Sequence, residues 1–309
     1  MRETAGGQGK ATQGQLTHGD GATTLNATRD ESKVTMTGTQ KTALRVGIGG
    51  LGAVGLPVAR WLDNGVEGLT LSAVSAGDKN RAKERVADFK GKVPVVALSE
   101  LAGISDVIVE CTRPELFTEV AEPAIRAGRV FMPLSVTSLL EHMDLIALAH
   151  DTGARIIVPT GALLGLDALR AAATGTVHSV TMVTRKPPKG LAKAKFVLEQ
   201  GIVLDGLAAP LKLYEGTVAD AAGKFPANVN VAVALGLAGI GPEKTQYEIW
   251  ADPAVTRNTH TIKVDADTAS FEMTIAVVPT EENPATGKLV PLSVIETLRS
   301  LVSTFKVGT

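Results

Sequence analysis

The segment Val46–Gly55 constrains the fold more than any other part of this chain, because it places closely spaced glycines directly after a buried strand pattern. Gly50, Gly52 and Gly55 match the spacing G-x-G-x-x-G. In that pattern the first glycine permits a tight turn, the second lets the backbone approach a pyrophosphate, and the third lets helix and strand pack closely. The spacing alone also fits a strand-to-helix turn that binds nothing.

The elements that flank the turn favour a dinucleotide site. A strand pattern, Leu44–Ile48, precedes the glycines, and an amphipathic helix pattern, Ala53–Leu62, follows them. Ala53 and Val54 therefore fall at a helix N-terminus, where free N–H groups and the positive end of the helix dipole attract phosphate.

From Leu44 to Val158, short apolar or β-branched runs alternate with helical patterns. The predicted strands are Leu44–Ile48, Leu69–Val74, Val93–Leu98, Asp106–Glu110, Val130–Leu134 and Ala154–Val158. The predicted helices are Ala53–Leu62, Lys79–Phe89, Glu115–Ala127 and Leu139–Asp151. Strands separated by helices indicate right-handed β-α-β units, so we predict an α/β fold whose residues 43–165 form a Rossmann-type domain with a six-stranded parallel sheet.

After Leu166 the strand patterns alternate apolar and polar residues, which is typical of an antiparallel sheet with one covered face. The predicted strands are His178–Thr184, Lys212–Gly216, Thr245–Ala251, Thr259–Val264 and Ser270–Val277. The predicted helices are Leu166–Ala173, Val218–Lys224, Val229–Leu237 and Pro291–Phe305, the last of which fits against either domain. We predict an α+β substrate and dimerisation domain over residues 166–309.

The segment Met1–Thr42 contains no aromatic residue and is rich in Gly, Thr and Gln, so we predict a disordered polar tail. The 309-residue chain has a net charge of −1, which gives it no general attraction to nucleic acid or to an anionic membrane. No apolar run is long enough to span a bilayer, and the N-terminus lacks the apolar core of a secretory signal. The single cysteine excludes an internal disulfide, so we expect a cytoplasmic protein.

The end of the second predicted strand bears on the choice between NAD and NADP. An acid at this strand tip binds the ribose 2′-hydroxyl of NAD, but here Ser75 and Ala76 occupy the tip. A small Ser75 with Lys79 and Arg81 nearby suits a 2′-phosphate, although both cations also fit a solvated helix surface. We therefore expect NAD or NADP as cofactor, with a slight preference for NADP.

Two turns at the ends of predicted parallel strands are further candidates for cofactor contact, because ligands bind outside the carboxyl ends of such strands. After Val158, Thr160 and Ala162 can offer a hydroxyl and a backbone N–H to a carboxylate or to the nicotinamide carboxamide. Cys111 follows another strand and reads as a small buried bystander near the cofactor rather than a nucleophile.

Polar residues in two later segments are candidates for the reacting end of the site. Asn228 fits a helix cap, whereas Asn230 lies on an otherwise apolar helix, where a buried amide needs a partner such as the carboxamide. Asn258 and His260 are two residues apart and share one face of a predicted strand. His260 is the best catalytic candidate among the five histidines by elimination, although a lone strand histidine is more often structural. The sequence shows no metal-ligand constellation.

Taken in order, these segments resemble the L-aspartate dehydrogenase family over about residues 44–305. The matching motifs are the glycine turn, Thr160–Ala168, Thr184-Arg-Lys186, Glu215-Gly216, Phe225-Pro-x-Asn-x-Asn-Val231, Ala251-Asp-Pro253, Asn258-x-His260, and Glu282-Asn-Pro284 followed by Thr286. This chain departs from the family at Thr160, often Ser, at Ala285, often Lys, and at Ser75-Ala76, where an acid is frequent.

The resemblance implies a homodimeric NAD(P)-dependent enzyme that deaminates L-aspartate oxidatively to iminoaspartate, and so to oxaloacetate and ammonia, or catalyses the reverse. The family's active-site histidine falls on His260, which we expect to be the general acid/base, and its cofactor-contacting alanine and asparagine fall on Ala162 and Asn230.

The two substrate carboxylates need cations or polar donors. The residues available to bind them are Thr160, Asn228, Asn258, Arg185, Lys186 and Lys224. The sequence does not rank the three cations in this set. Two alternatives remain at this point: an NAD(P) oxidoreductase acting on another amino or hydroxy acid, and a non-enzymatic NAD(P)-binding sensor.

Overall fold

The computed structural model describes residues 42–226, 229–283 and 285–308. The predicted tail Met1–Thr42 therefore lies outside the described residues except for Thr42. The strands are β1 (Leu44–Gly49), β2 (Leu69–Ser75), β3 (Val107–Glu110), β4 (Val130–Pro133), β5 (Arg155–Ile156), β6 (Val177–Lys186), β7 (Leu211–Thr217), β8 (Gln246–Ala251), β9 (Asn258–Ala266) and β10 (Ser270–Val277).

The helices follow the same chain order. They are α1 (Gly55–Asp63), α2 (Lys79–Arg85), α3 (Leu101–Ile104), α4 (Phe117–Arg126), α5 (Val136–Glu141), α6 (Asp144–Thr152), α7 (Leu166–Ala172), α8 (Lys195–Glu199), α9 (Val218–Lys224), α10 (Asn230–Ala238) and α11 (Leu289–Ser300). Short 3₁₀ turns occupy Leu98–Glu100, Pro114–Leu116 and Pro188–Gly190.

The first sheet is parallel, with strand order β2-β1-β3-β4-β5. Its central strands are buried on both faces, as Ile48 and Val109 show on one face and Ile108 on the other, because helices cover both sides of such a sheet. The order and the parallel pairing confirm the predicted Rossmann-type α/β fold.

The predicted strand Val93–Leu98 is wrong, so this sheet has five strands and not six. Val95 forms only an isolated parallel bridge with Val74, and the chain then enters the 3₁₀ turn at Leu98. Pro94 has no N–H to donate, and a proline is a poor member of a sheet ladder.

Four helical predictions also differ from the structure. The predicted helices Lys79–Phe89 and Pro291–Phe305 end earlier, as α2 at Arg85 and α11 at Ser300. The predicted helix Glu115–Ala127 starts later, as α4, after a 3₁₀ turn that Pro114 opens. The predicted helix Leu139–Asp151 is broken into α5 and α6 between Glu141 and Asp144.

The second sheet has the order β10-β9-β6-β8-β7. Three of its pairings are antiparallel, as expected, but β6 and β8 run parallel. The sheet is therefore mixed, because the connection through α9 and α10 returns β8 to the space between β6 and β7. Its inner face carries Val180, Met182 and Ile262, which pack under helices α7, α9 and α10 in one apolar core.

The last helix, α11, returns to the first sheet. Val294 and Leu298 are buried there in the same apolar cluster as Leu62 of α1. The chain thus passes from the first sheet to the second and returns to pack against the first. Within the described residues, no helix combines the length and the apolar character needed to cross a membrane.

Candidate active site

A cleft of about 460 Å³ lies where the carboxyl ends of β1, β3 and β4 face the ends of β6 and β9. Ten of the residues predicted to form the site line it: Gly52, Ala53, Val54, Cys111, Thr160, Ala162, Lys186, Asn230, Asn258 and His260. The fold therefore brings together segments separated by more than two hundred residues. Asn228 lies outside the described residues.

The glycine turn after β1 forms one wall of the cleft. A Cβ on Gly50 would overlap the carbonyl oxygen of Cys111, and a Cβ on Gly55 would overlap the carbonyl oxygen of Gly50, so neither position admits a side chain. At Gly52, in contrast, the space beyond the backbone is open.

The same turn leaves donors without acceptors. The N–H groups of Gly52, Ala53 and Val54 precede the first turn of α1 and donate no hydrogen bond to any described residue. Open space at Gly52 together with free N–H groups at a helix N-terminus fits a pyrophosphate, so this wall fits a dinucleotide.

The carboxylate of Glu110 organises the floor of the cleft. Glu110 is fully buried at the end of β3 and accepts hydrogen bonds from Thr112 N and Oγ1 (both 2.7 Å) and from Ser135 N and Oγ (both 3.0 Å). It thereby ties together the two loops that follow β3 and β4. Burial, with a further contribution from Glu110, raises the pKa of the neighbouring Cys111 thiol well above its usual value, which fits the predicted bystander.

A second hollow continues from the cleft along the tip of β2, sharing with it Gly52, Cys111, Thr112 and Arg113. Ser75 is buried and lines neither hollow; its carbonyl accepts the Gly50 N–H at 2.7 Å. Ser75 therefore supports the turn through its backbone.

The charged residues beside this second hollow differ in whether they already have a hydrogen-bond or ion-pair partner. Asp78 caps α2 by accepting the N–H groups of Asn80 (2.9 Å) and Arg81 (3.1 Å). Arg85 bonds the Leu51 carbonyl and pairs with a glutamate of the loop after β10, whereas Arg81 is exposed and makes no ion pair with a described residue. Arg81 is thus an available cation in the part of the second hollow that lies away from the cleft.

The orientation of the Asn230 amide follows from its partner. Asn230 Oδ1 accepts hydrogen bonds from Thr137 N (2.9 Å) and Thr137 Oγ1 (2.8 Å). A backbone N–H can only donate, so the oxygen of the amide must face Thr137 and the NH₂ group remains for another acceptor. Asn230 can therefore donate to a carbonyl oxygen in the cleft.

The turn after Val158 supplies one further donor. The Gly161 N–H donates to Ser293 Oγ at 3.0 Å and is therefore in use. The Ala162 N–H donates to no described residue, and the exposed Thr160 lines the cleft. Ala162 and Asn230 thus present donors of the kind that a carboxamide or carboxylate oxygen needs.

His260 lies on the opposite wall, on the inner face of β9, with 4% of its surface exposed. Its Nδ1 lies 2.9 Å from the hydroxyl of Thr184, which in turn accepts a hydrogen bond of 3.1 Å from the phenol of Tyr247. Burial, together with the charge of Lys186, lowers the pKa of His260 from 6.5 to about 3. The imidazole is therefore neutral near pH 7.

The structure ranks the three candidate cations. Arg185 pairs with Asp252 at 2.9 Å on the other side of β6, and Lys224 pairs with Asp220 at 2.6 Å. Neither of these two lines the cleft, whereas Lys186 does, with 6% of its surface exposed. Burial lowers the pKa of Lys186 from 10.5 to about 8.

Four residues that support the site were given no role in the sequence-based prediction, although Thr184 stood in one of the family motifs: Glu110, Thr137, Thr184 and Tyr247. A signal existed for Thr184, because it continues the inner row of β6 after Val180 and Met182, where an apolar residue is expected. Thr137 and Tyr247 contact their partners through tertiary packing that no local pattern reveals, and so does Glu110 in its bonds to Ser135.

Two family models match this chain in succession. Residues 50–159 match the family described as homoserine dehydrogenase, NAD binding domain, and residues 167–301 match the family described as aspartate dehydrogenase, C-terminal.

Two relatives are similar over nearly their whole length. An L-aspartate dehydrogenase of Bradyrhizobium diazoefficiens is 49% identical over 90% of this chain and 98% of its own. L-aspartate dehydrogenase 3 of Bordetella bronchiseptica is 48% identical over 86% of this chain and 98% of its own. The crystal structure of aspartate dehydrogenase from Thermotoga maritima superposes with a TM-score of 0.65 at 26% identity, covering 86% of this chain and 99% of that one.

Proposed function

We propose, from the premise that this chain belongs to the L-aspartate dehydrogenase family, that it is an NAD(P)-dependent L-aspartate dehydrogenase. The reaction is oxidative deamination of L-aspartate to iminoaspartate, which yields oxaloacetate and ammonia, or the reverse reductive amination. The observation that carries the proposal is one cleft in which free N–H groups of a glycine turn face His260 and Lys186. This arrangement suits a dinucleotide beside a small anionic substrate.

The cofactor is NAD or NADP, and when bound it accepts or returns the hydride at the substrate Cα. The N–H groups of Gly52, Ala53 and Val54 would hold its pyrophosphate, and the donors of Ala162 and Asn230 would hold the carboxamide of the nicotinamide. Fixing this ring matters because hydride transfer depends on alignment of donor and acceptor.

The side chains at the ends of β6 and β9 would act on the substrate. Its carboxylates require cations or hydrogen-bond donors, which Lys186, Asn258 and Thr160 offer from the lining of the cleft. His260 is the proposed catalytic residue, because it is held in place through Nδ1 and lies in the cleft. The low exposure of this wall limits water around the reacting atoms, which strengthens each polar contact.

We further propose that the protein is a cytoplasmic homodimer with domains over residues 43–165 and 166–309, the last helix of the second, α11, packing back on the first. The resemblance in the sequence supports the dimer, the single cysteine supports a reducing compartment, and the two separate sheets support the domain division. Light scattering after size-exclusion chromatography measures the mass in solution, and a value near 32 kDa would contradict the dimer.

The first experiment follows the absorbance of NADH, and separately of NADPH, with oxaloacetate and ammonium. We expect oxidation that requires ammonium, and the comparison gives the cofactor preference. Oxidation without ammonium would instead indicate reduction of a hydroxy-acid pair. Absence of oxidation in protein shown to bind either cofactor would reject the proposed function.

A further inference from the structure

Four polar side chains form a compact patch on the inner face of the second sheet. Thr184 and Lys186 lie two residues apart on β6, and Asn258 and His260 lie two residues apart on β9, so each pair shares a face. Thr184 lies opposite His260 in the antiparallel register of β6 and β9, and Arg185 lies opposite Thr259. Extending this register by one residue places Lys186 opposite Asn258. Lys186 is therefore the diagonal neighbour of His260 at the same end of the sheet.

The hydrogen bonds of Thr184 determine which nitrogen of His260 carries the proton. The Tyr247 phenol donates to Thr184 Oγ1, and burial raises the Tyr247 pKa, so this phenol stays protonated. The only other described hydrogen bond of Thr184 Oγ1 is to His260 Nδ1. A buried hydroxyl proton needs an acceptor, so Thr184 donates to Nδ1. The neutral ring then carries its proton on Nε2.

This tautomer makes His260 a hydrogen-bond donor in its resting state. Nδ1 is occupied as an acceptor, and Nε2–H has a proton to give rather than a lone pair to offer. L-Aspartate enters with an ammonium group, which must lose a proton before the carbon–nitrogen double bond can form. An Nε2–H imidazole has no free lone pair with which to take that proton.

We propose, as a refinement that rests on the proposed function, that Lys186 is the group that accepts the proton from the substrate ammonium, while His260 donates a hydrogen bond from Nε2. The step is a transfer of one proton: an N–H bond of the substrate breaks, its electron pair stays on the amine nitrogen, and a new N–H bond forms on the neutral Lys186 Nζ. The substrate amine becomes neutral and Lys186 becomes an ammonium. In the reverse direction Lys186 returns the proton.

The surroundings of Lys186 suit this exchange. Burial lowers its pKa to about 8, so near that pH it is present both neutral and charged, which is the condition that favours general acid/base catalysis. The other ionisable groups that line the cleft are Cys111, Arg113, Glu141 and His260. Arg185, which precedes Lys186 in sequence, pairs at 2.9 Å with Asp252, whose backbone N–H donates to the carbonyl of Lys186.

The test compares wild type with Lys186→Met and Lys186→Arg, and uses Lys189→Met, an exposed lysine just beyond β6, as the matched control. In the oxidative direction we expect kcat of the wild type to rise with pH through about 8. Both Lys186 variants should lose about two to four orders of magnitude in kcat together with this rising limb, because Met and Arg cannot give up and regain a proton. Added methylamine or ethylamine should partly restore Lys186→Ala.

A Lys186 that only anchors a carboxylate gives a different result. Lys186→Arg would then stay within a few-fold of wild type in kcat, its KM would change more than kcat, and the rising limb would remain. That outcome would overturn the proposal.

A binding measurement keeps the proposal testable apart from turnover. Succinate, which carries two carboxylates and no amine, is titrated into the holoenzyme at pH 8.5 in buffers of different ionisation enthalpy. Binding should bring a proton onto Lys186, because a nearby anion favours its charged form, and this uptake should be absent in Lys186→Met. Equal uptake in both proteins would overturn the proposal, whereas failure of the wild type to turn over L-aspartate would reject the proposed function itself.

Discussion

The wall of the cleft that follows β1 offers backbone N–H groups, whereas the opposite wall, at the ends of β6 and β9, offers ionisable side chains. The first wall works because Gly50 and Gly55 admit no side chain. The second works because apolar packing holds Lys186 and His260 nearly dry and so shifts their pKa values. One wall is therefore sensitive to added atoms and indifferent to pH, and the other is sensitive to protonation.

The largest effect is expected from adding a single methyl group to the glycine turn. Gly55→Ala places a Cβ on the carbonyl oxygen of Gly50, and backbone on both sides cannot yield as a side chain can. We expect a loss of about 3 kcal/mol or more in the free energy of unfolding, measured by urea denaturation, although alanine favours helices.

Two glycines serve as controls for this prediction. Gly103→Ala in α3 meets no atom within 4 Å and should leave stability unchanged or slightly higher. Gly52→Ala also meets open space, so it should fold normally but bind cofactor at least about tenfold more weakly, a loss of about 1.4 kcal/mol. Equal stability of Gly55→Ala and Gly103→Ala would show that the backbone wall is not sterically fixed.

On the side-chain wall, His260→Ala removes the Nε2–H donor and should lower turnover by about two to three orders of magnitude while the affinity for cofactor changes little. Steady-state kinetics and fluorescence titration of NADH measure the two quantities. His178→Ala, which removes an exposed histidine from the other end of β6, should behave as wild type. Turnover of His260→Ala within a few-fold of wild type would remove this residue from the chemistry.

Both shifted groups of this wall should also appear in the pH dependence of stability. Lys186 has a lower pKa folded, about 8, than its usual 10.5, so between these values the unfolded chain binds the extra proton and stability rises with pH. Removing this group by Lys186→Met should abolish a rise of a few kcal/mol over that window.

His260 should also make stability rise with pH, but in the acid range. Its pKa is about 3 folded against 6.5, so stability falls as pH drops through this window. We would measure the denaturation midpoints of the wild type and of His260→Asn across pH 3 to 7. Their difference at each pH isolates the contribution of His260 to stability. A difference that does not vary with pH would mean that His260 has the same pKa in the folded and the unfolded protein.

Removing the hydroxyl that positions the imidazole should have a smaller effect. Thr184→Val leaves Nδ1 of His260 and the phenol of Tyr247 without their buried partner, which costs about 1–3 kcal/mol in stability, and we expect turnover to fall about tenfold. Thr181→Val, at a half-buried position on the same strand, controls for the change of residue type. Unchanged turnover with lower stability would restrict Thr184 to a structural role.

The comparison between the walls also explains what the sequence could predict. The glycine turn is local, since Gly50, Gly52 and Gly55 act on backbone within a few residues, and the strand alternation placed Asn258 and His260 together correctly. Long-range contacts were not readable: the Thr137–Asn230 bond joins residues 93 apart, and that between Thr184 and Tyr247 joins residues 63 apart.

The three candidate cations could not be ranked from the sequence for the same reason. The sequence gives no reason to prefer one of Arg185, Lys186 and Lys224. Only the fold shows that Arg185 and Lys224 form ion pairs away from the cleft. The predicted strand at Val93 failed because a single proline outweighed an apolar run. Residues whose role depends on a distant partner thus require the structure.

The smallest effect is expected in the second hollow, beyond the tip of β2. There a side chain, and not a backbone N–H group, would contact the cofactor. Arg81 lines the hollow beyond the β2 tip and makes no ion pair with a described residue, while Asp78 is occupied in capping α2. If the 2′-phosphate of NADP lies here, Arg81→Ala should weaken NADP about tenfold or less and leave NAD nearly unchanged, since an exposed pair contributes about 1 kcal/mol or less. Fluorescence titration with both cofactors, against Lys83→Ala on the exposed side of α2, measures the selectivity. Equal losses for NAD and NADP would mean that this cation contributes only general attraction to the dinucleotide, and would leave selectivity to the backbone at Ala76 and Gly77.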